Sequence, residues 1–250
     1  MKSRIRPLLA LVSVAFAGGC DQPATPCVLA DAHPDPSISN PGTPYLLVYY
    51  FRQGSQTGQC ADDPSDFASR IYEESYPSPD GAPSEVAWTP DEFAYDPQSG
   101  EPPDPDHVPT IRGRFTAAVP DAAGLCFVEG TLAGQQEIDG SLVTYAFKRV
   151  QVLATASVQG TEILADVVVT RGSCSREYDA LGIWPPVSCT SAVECDPYPA
   201  PEQGHPFGSG LVPSLSVECN TGPLLVDAAG RGACFFPDAG PAGFPFLTGK

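Results

Sequence analysis

The chain has 250 residues, with 13 Lys+Arg against 30 Asp+Glu and three His, a formal net charge of −17. So acidic a surface repels nucleic acid and anionic lipid headgroups, and no nucleic-acid partner is expected. With 29 Pro and 24 Gly the chain is rich in loops, yet 42% of its residues are hydrophobic, enough for a chain of this length to bury a core.

At the start, Lys2, Arg4 and Arg6 precede the apolar run Leu8–Phe16, and no acid occurs before Asp21. A basic opening, a short apolar run and small residues after it mark a secretory signal. The run is too short to span a membrane, which takes about 20 apolar residues. Two cleavage points are open. Ala15-Phe16-Ala17 suits an ordinary signal peptidase and would leave Gly18 first. "AGGC", Ala17 to Cys20, resembles the lipobox of bacterial lipoproteins, with Ala17 where that motif usually carries Leu. The resemblance implies that residues 1–19 are removed and that the Cys20 thiol is acylated. It also implies that the protein is held on a membrane by that lipid, at a periplasmic face, in the outer membrane or at the cell surface. The cysteine count agrees. There are nine, an odd number for an exported chain. Acylation of Cys20 leaves Cys27, Cys60, Cys126, Cys174, Cys189, Cys195, Cys219 and Cys234 for four disulfides. Several acyl chains together hold firmly, because each buried CH2 contributes about 0.8 kcal/mol. Without residues 1–19 the chain keeps ten basic and 30 acidic residues, a formal charge of −20.

Residues 20–44 are rich in proline, have no apolar period and read as a lipidated, extended tether. Tyr45–Phe51, "YLLVYYF", is a dense apolar run bounded by Pro and Gly and reads as a buried strand. A short helix is expected over about 64–75, with Asp63 as cap, Pro64 at its first position, Asp66 in its first turn, Phe67 and Ile71 on one face and Pro77 as stop. Residues 77–109 carry many prolines and acids and no Lys or Arg, and read as a long loop. From Thr110 the pattern is β, over 110–119, 125–134, 141–157 and 162–172. The separators "PDAAG", "QQEIDG" and "VQGT" are too short for parallel crossovers, so neighbours are antiparallel. Val143, Tyr145 and Phe147 point one way, and Thr144, Ala146 and Lys148 the other. The expected fold is mainly β: an antiparallel meander forming a small sandwich or open barrel over 45–176, with one short helix.

A disulfide-rich, irregular module follows at 185–250. Its "CTSAVEC" opening, Cys189–Cys195, and its Gly232-Ala233-Cys234 close resemble a small four-cysteine module of secreted bacterial proteins. The 23 residues between Cys195 and Cys219 look like an inserted loop in that module. The resemblance implies an extracytoplasmic disulfide unit over about 187–237, with no enzyme activity attached. A segment with so few apolar residues needs such bridges. No CxxC pair supports zinc, and no metal or cofactor is expected. Among the other four cysteines, Cys126 and Cys174 lie in or just past strands and are candidates to pair. Cys27 and Cys60 would then tie the tether to the helical region.

Catalytic signals are thin. His33, His107 and His205 all sit in proline-flanked loops. "FGSG", Phe207–Gly210, lacks the spacing of a nucleophile elbow. Glu73-Glu74 and Asp91-Glu92 are adjacent acids that read as a charged helix face and a charged loop rather than a glycosidase pair. "EPPDPDH", Glu101–His107, lacks a calcium-loop pattern. Trp88, Phe93, Tyr95 and His107 cluster near the 77–109 loop, as core or as a surface for a protein or glycan ligand. The reading is a non-catalytic anchored lipoprotein with a binding or structural role. The rival is a hydrolase whose site lies where the 77–109 loop meets the sheet, marked by His107 facing a carboxylate.

Overall fold

In the computed structural model, the described residues are 25–30 and 44–237, apart from 63–64, 77, 79, 97–98, 105, 155–158, 212 and 214. Cys20, His33, the cleavage sites and most of the tether lie outside them. The apolar run at 45–51 forms β1 (Tyr45–Phe51), which pairs with β2 (Phe67–Tyr76), and β2 pairs with β3 (Glu85–Pro90). A four-residue helix, α1 (Asp91–Ala94), leads towards β4 (Ile111–Arg114), which pairs with β3. The chain continues through β5 (Leu125–Phe127), β6 (Thr131–Ile138), β7 (Ser141–Ala154), β8 (Gln159–Arg171) and β9 (Cys174–Ile183). The sheet runs β4-β3-β2-β1-β9-β8-β7, with both β5 and β6 on the far edge of β7, and every pairing is antiparallel. It continues to Ile183, beyond the expected end at 176.

The expected helix over 64–75 is strand β2 from Phe67 onward; Asp63, Pro64 and Pro77 lie outside the described residues. Phe67 and Ile71 are four apart, a spacing that places them on one face of a strand as well as of a helix. Pairing on both sides, with β1 and with β3, decides between the two. The 77–109 segment is not a single loop either, because β3 and α1 lie inside it. "QQEIDG" is mostly strand: Gln135–Ile138 belong to β6, and only Asp139-Gly140, both at positive φ, make the turn.

The sheet curls into a half-barrel. A register shift in β7 between Lys148 and Gln151, with Arg149 at φ 48°, bends the strand there. The two edges meet where Phe115 bridges Val128. There the Thr116 N–H donates to the Phe127 carbonyl at 2.8 Å and the Glu129 N–H to the Arg114 carbonyl at 2.8 Å. Inward-facing Tyr45, Leu47, Tyr49 and Phe51 of β1 pack with Ile71, Val86, Trp88, Ile111, Val143, Tyr145, Phe147 and Val167 in one core. Val143, Tyr145 and Phe147 do share the buried face.

Residues 25–30 close one end of this half-barrel. Cys27 bonds to Cys126, the Leu29 N–H donates to the Ser75 hydroxyl at 3.0 Å, and the Ala30 N–H donates to the Tyr45 hydroxyl at 2.8 Å. The segment passes so close to Gly160 (φ 69°) that a Cβ there would lie 2.2 Å from the Val28 carbonyl oxygen, so only glycine fits. The second bridge is Cys60–Cys174. The expected pairs Cys126–Cys174 and Cys27–Cys60 are therefore both replaced. Closeness in sequence misleads, because β5 carries Cys126 to the closed end and β9 carries Cys174 to the loop after β1.

The other face of β1 carries Val48 and Tyr50, which join Leu181 and Ile183 of β9 in a second core with the C-terminal region. That explains why "YLLVYYF" is apolar on both faces. The C-terminal region holds a small sheet of β10 (Ser188–Cys189), β11 (Glu218–Asn220) and β12 (Gly232–Phe235), in the order β10-β12-β11. Bridges Cys189–Cys219 and Cys195–Cys234 staple it, and Leu211, Phe235 and Phe236 press on the outer face of β1 and β9. "CTSAVEC" forms a 3-10 turn in which the Glu194 carboxylate accepts from the Ser191 N–H at 3.1 Å and from the Thr190 hydroxyl at 3.1 Å. Four disulfides place the folded chain in an oxidising, extracytoplasmic compartment.

Candidate functional site

The cluster expected near the 77–109 segment divides. Trp88 is 1% exposed and Phe93 0%; both face the half-barrel core, against Phe147 and Tyr145. They are core residues and not a binding surface. Tyr95 is 41% exposed and leans on Tyr72 at 5.6 Å between ring centroids. His107 is exposed, and its backbone N–H closes a turn on the Asp104 carbonyl at 3.2 Å. Among the described residues, no ion pair or hydrogen bond joins the His107 imidazole to a carboxylate.

The adjacent acids also separate. Glu73 is not on a charged surface: it points into the core from β2, opposite Trp88 of β3, and is 3% exposed. Neither of its carboxyl oxygens has a hydrogen-bond partner, and nor does the Trp88 indole N–H. Burial pushes the Glu73 carboxyl well above the usual carboxylate range, so it is held as the neutral acid. Glu92, on α1, accepts from Arg171 at the end of β8 and from the Tyr145 hydroxyl. The Tyr49 and Tyr145 hydroxyls are both raised, first by burial and then by these carboxyls: Glu73 and Glu92 for Tyr49, Glu92 for Tyr145. Two acids and two tyrosines thus occupy the half-barrel interior. A substrate would have to displace packed aromatic rings to reach Glu73.

Solvent meets the inner face at the opposite end from the Cys27 closure. There β8 and β9 change character along their inward positions. Val167 and Val169 are followed by Arg171, and Ala180 and Tyr178 are preceded by Arg176 and Cys174. Of these, Val169, Arg171, Cys174, Arg176 and Tyr178, with Phe67 at the start of β2 and Ser65 just before it, line a cleft of about 240 Å³. Its aromatic wall is fixed: Phe67 stacks on Tyr49 at 4.3 Å and meets Tyr178 edge-on at 5.2 Å. Arg171 leans on Glu92. Arg176 donates from Nε to the Gln56 amide oxygen at 3.2 Å, from Nη2 to the Asp62 carbonyl, and bonds Tyr178. The Cys60–Cys174 bridge pins the loop that carries Gln56 and Asp62 to the rim. The two arginines escape a reading based on motif spacing, but extending the alternation Val167, Val169 by two residues lands on Arg171.

Other arginines are paired on the surface. On the outer sheet face Arg52 reaches Asp166 at 3.1 Å, Glu177 at 3.2 Å and Asp179 at 2.5 Å, and Arg149 also pairs with Asp166. The sulfurs of Cys189, Cys195 and Cys234 lie within 4.8 Å of one another, but each is already spent in a bridge and offers no thiolate. No helix among the described residues is long and apolar enough to cross a membrane.

The family model described as MlpA matches residues 43–185. That span opens just before β1 and closes just after β9, so it covers the half-barrel sheet. No curated protein and no solved structure matches the chain.

Proposed function

The chain belongs to the MlpA family, and from that premise we propose that it is a non-catalytic lipoprotein, tethered to a membrane through acylated Cys20 and acting outside the cytoplasm by binding or as a structural element. One observation carries the proposal: eight of the nine cysteines are consumed in four bridges, and the cysteine left over is the one in the lipobox-like "AGGC". A leftover thiol in an exported chain calls for a chemical fate, and acylation supplies one. Because residues 25–30 are docked on the half-barrel, only residues 21–24 separate the anchor from the folded body, which then sits close to the bilayer, at a periplasmic face, in the outer membrane or at the cell surface. The non-catalytic reading is supported by Glu73 being buried among core rings and by the absence, among the described residues, of a bond from the His107 imidazole to a carboxylate.

Membrane fractionation of cells producing the protein or its Cys20→Ser variant, with and without globomycin, tests the anchor. The full-length chain should partition into the detergent phase of Triton X-114. Cys20→Ser should move to the aqueous phase, and globomycin should cause unprocessed precursor to accumulate. Aqueous partition of the unaltered chain, with processing indifferent to globomycin, refutes the anchor.

A further inference from the structure

We propose that the open end of the half-barrel is a binding site for a small ligand bearing a carboxylate on a six-membered ring, with Arg176 and Arg171 taking the carboxylate and Phe67 and Tyr178 the ring. The inference rests on the binding reading above, and not on the anchor.

The charge of Arg176 is the first observation. This side chain is half-buried, and its partners are an amide oxygen, a backbone carbonyl and a phenol, all neutral. Among the described residues it forms no ion pair, in a protein whose acids outnumber its bases by 30 to 13. A cation partly covered by the protein, with neutral partners only, is left with its charge open to an anion. Acids were plentiful, as the three carboxylates around Arg52 show, yet among the described residues none pairs with Arg176, the nearby Asp66 acting on its partner Tyr178.

Placement is the second observation. Arg176 sits directly across from Val169 in the β8–β9 register, and Arg171 lies two residues beyond Val169 on the same inward face. Both guanidiniums therefore border the 240 Å³ cleft. Each is held on its far side, Arg171 by Glu92 and Arg176 by the disulfide-pinned loop, so little side-chain freedom remains to be lost on binding. The guanidinium fork suits a planar carboxylate. Glu92 offsets Arg171, and Asp66 lies near Tyr178, so the site selects one carboxylate and not a polyanion. The cleft is below the usual range for drug-sized ligands, about 300–1,000 Å³, and suits a single ring. The walls from Phe67 and Tyr178 complete it.

Titration calorimetry on the full mature chain in detergent tests this with benzoate and glucuronate, which distinguish an aromatic acid from a sugar acid, and with benzyl alcohol as the uncharged control. At least one of the two acids should bind saturably and more weakly as NaCl is added. Benzyl alcohol should bind about 10- to 100-fold more weakly than that acid, the factor expected for charge-assisted hydrogen bonds. Arg176→Gln and Arg171→Gln should each weaken the acid by a similar factor, and Arg176→Lys by less. Val169→Phe narrows the cleft while keeping both arginines and all their partners in the sequence, and should abolish binding while the thermal transition persists. No saturable binding of either acid overturns the proposal. So does equal binding of benzyl alcohol, or affinity unchanged in Val169→Phe. All of these results leave the Cys20 anchor untouched, and loss of the anchor leaves these titrations interpretable.

Discussion

Glu162 gives the sharpest energetic test of the fold. It lies in β8 between Leu153 of β7 and Ile183 of β9, is buried, and has one carboxyl oxygen without a partner. Burial raises its carboxyl from 4.5 to about 8. A carboxyl whose folded value is raised is neutral in both states below pH 4.5, so its contribution to stability is complete there. Above that the unfolded chain loses the proton while the folded chain keeps it, and stability falls until the pH passes about 8. At about 1.4 kcal/mol per pH unit, the loss is roughly 3 kcal/mol at pH 7 and approaches 5 kcal/mol above pH 8. Glu162→Gln keeps the shape and removes the titration. Urea unfolding at pH 4, 5.5 and 7, with the disulfides intact and tryptophan fluorescence as the readout, should show near-equal stabilities at pH 4. The variant should lead by about 3 kcal/mol at pH 7. Glu73 titrates in both chains and cancels from the difference. An offset that stays constant from pH 4 to 7 refutes the reasoning, because Glu162 would then titrate in the folded protein as it does in water.

Three further outcomes follow from the packing. Glu73→Leu should raise stability at pH 7 by about 1–3 kcal/mol, since it removes a buried acid that has no partner; a loss at every pH would show that Glu73 is satisfied in the core. The Cys27→Ala/Cys126→Ala pair opens a bridge spanning 99 residues and should cost about 4–5 kcal/mol in urea unfolding, with new proteolytic cleavage near residue 27; an unaltered cleavage pattern would mean that the closing segment holds without its bridge. Phe235→Ala, at the centre of the second core, should cost about 3–5 kcal/mol and expose the outer face of β1 to hydrogen exchange; unchanged protection at Val48 and Tyr50 would contradict the docking of the C-terminal sheet there.

How far the sequence carries the fold depends on what each strand faces. β1 and β7 are legible because their patterns answer to one environment each: burial on both faces for "YLLVYYF", strict alternation for Val143, Tyr145 and Phe147. β2 is not legible, because its inward series Phe67, Ser69, Ile71, Glu73 and Ser75 alternates polar with apolar within a buried face. Its two apolar members then fall four apart and imitate a helix. β9 hides for a related reason. Its first half, Cys174–Glu177, is polar because its inward side chains border the open cleft, and only from Tyr178 onward does it meet core. Trp88 and Phe93 are visible as aromatics, but the burial of Trp88 depends on β3 lying inside the supposed loop and that of Phe93 on α1 folding inward, which no local spacing announces. The arginines of the cleft carry no motif. Arg171 falls on the Val167, Val169 alternation, whereas the signal of Arg176 is a cation with neutral partners among the described residues, and that becomes visible only once each neighbour is known.

Intact and peptide mass spectrometry of the protein extracted from membranes, alkylated without reduction, tests the central claim most directly. The account predicts that Cys20 is the first residue and carries diacylglyceryl mass, that no cysteine takes up the alkylating agent, and that the peptides are linked as Cys27–Cys126, Cys60–Cys174, Cys189–Cys219 and Cys195–Cys234. A chain that begins at Gly18 with an alkylated Cys20 thiol and no added lipid mass would contradict it.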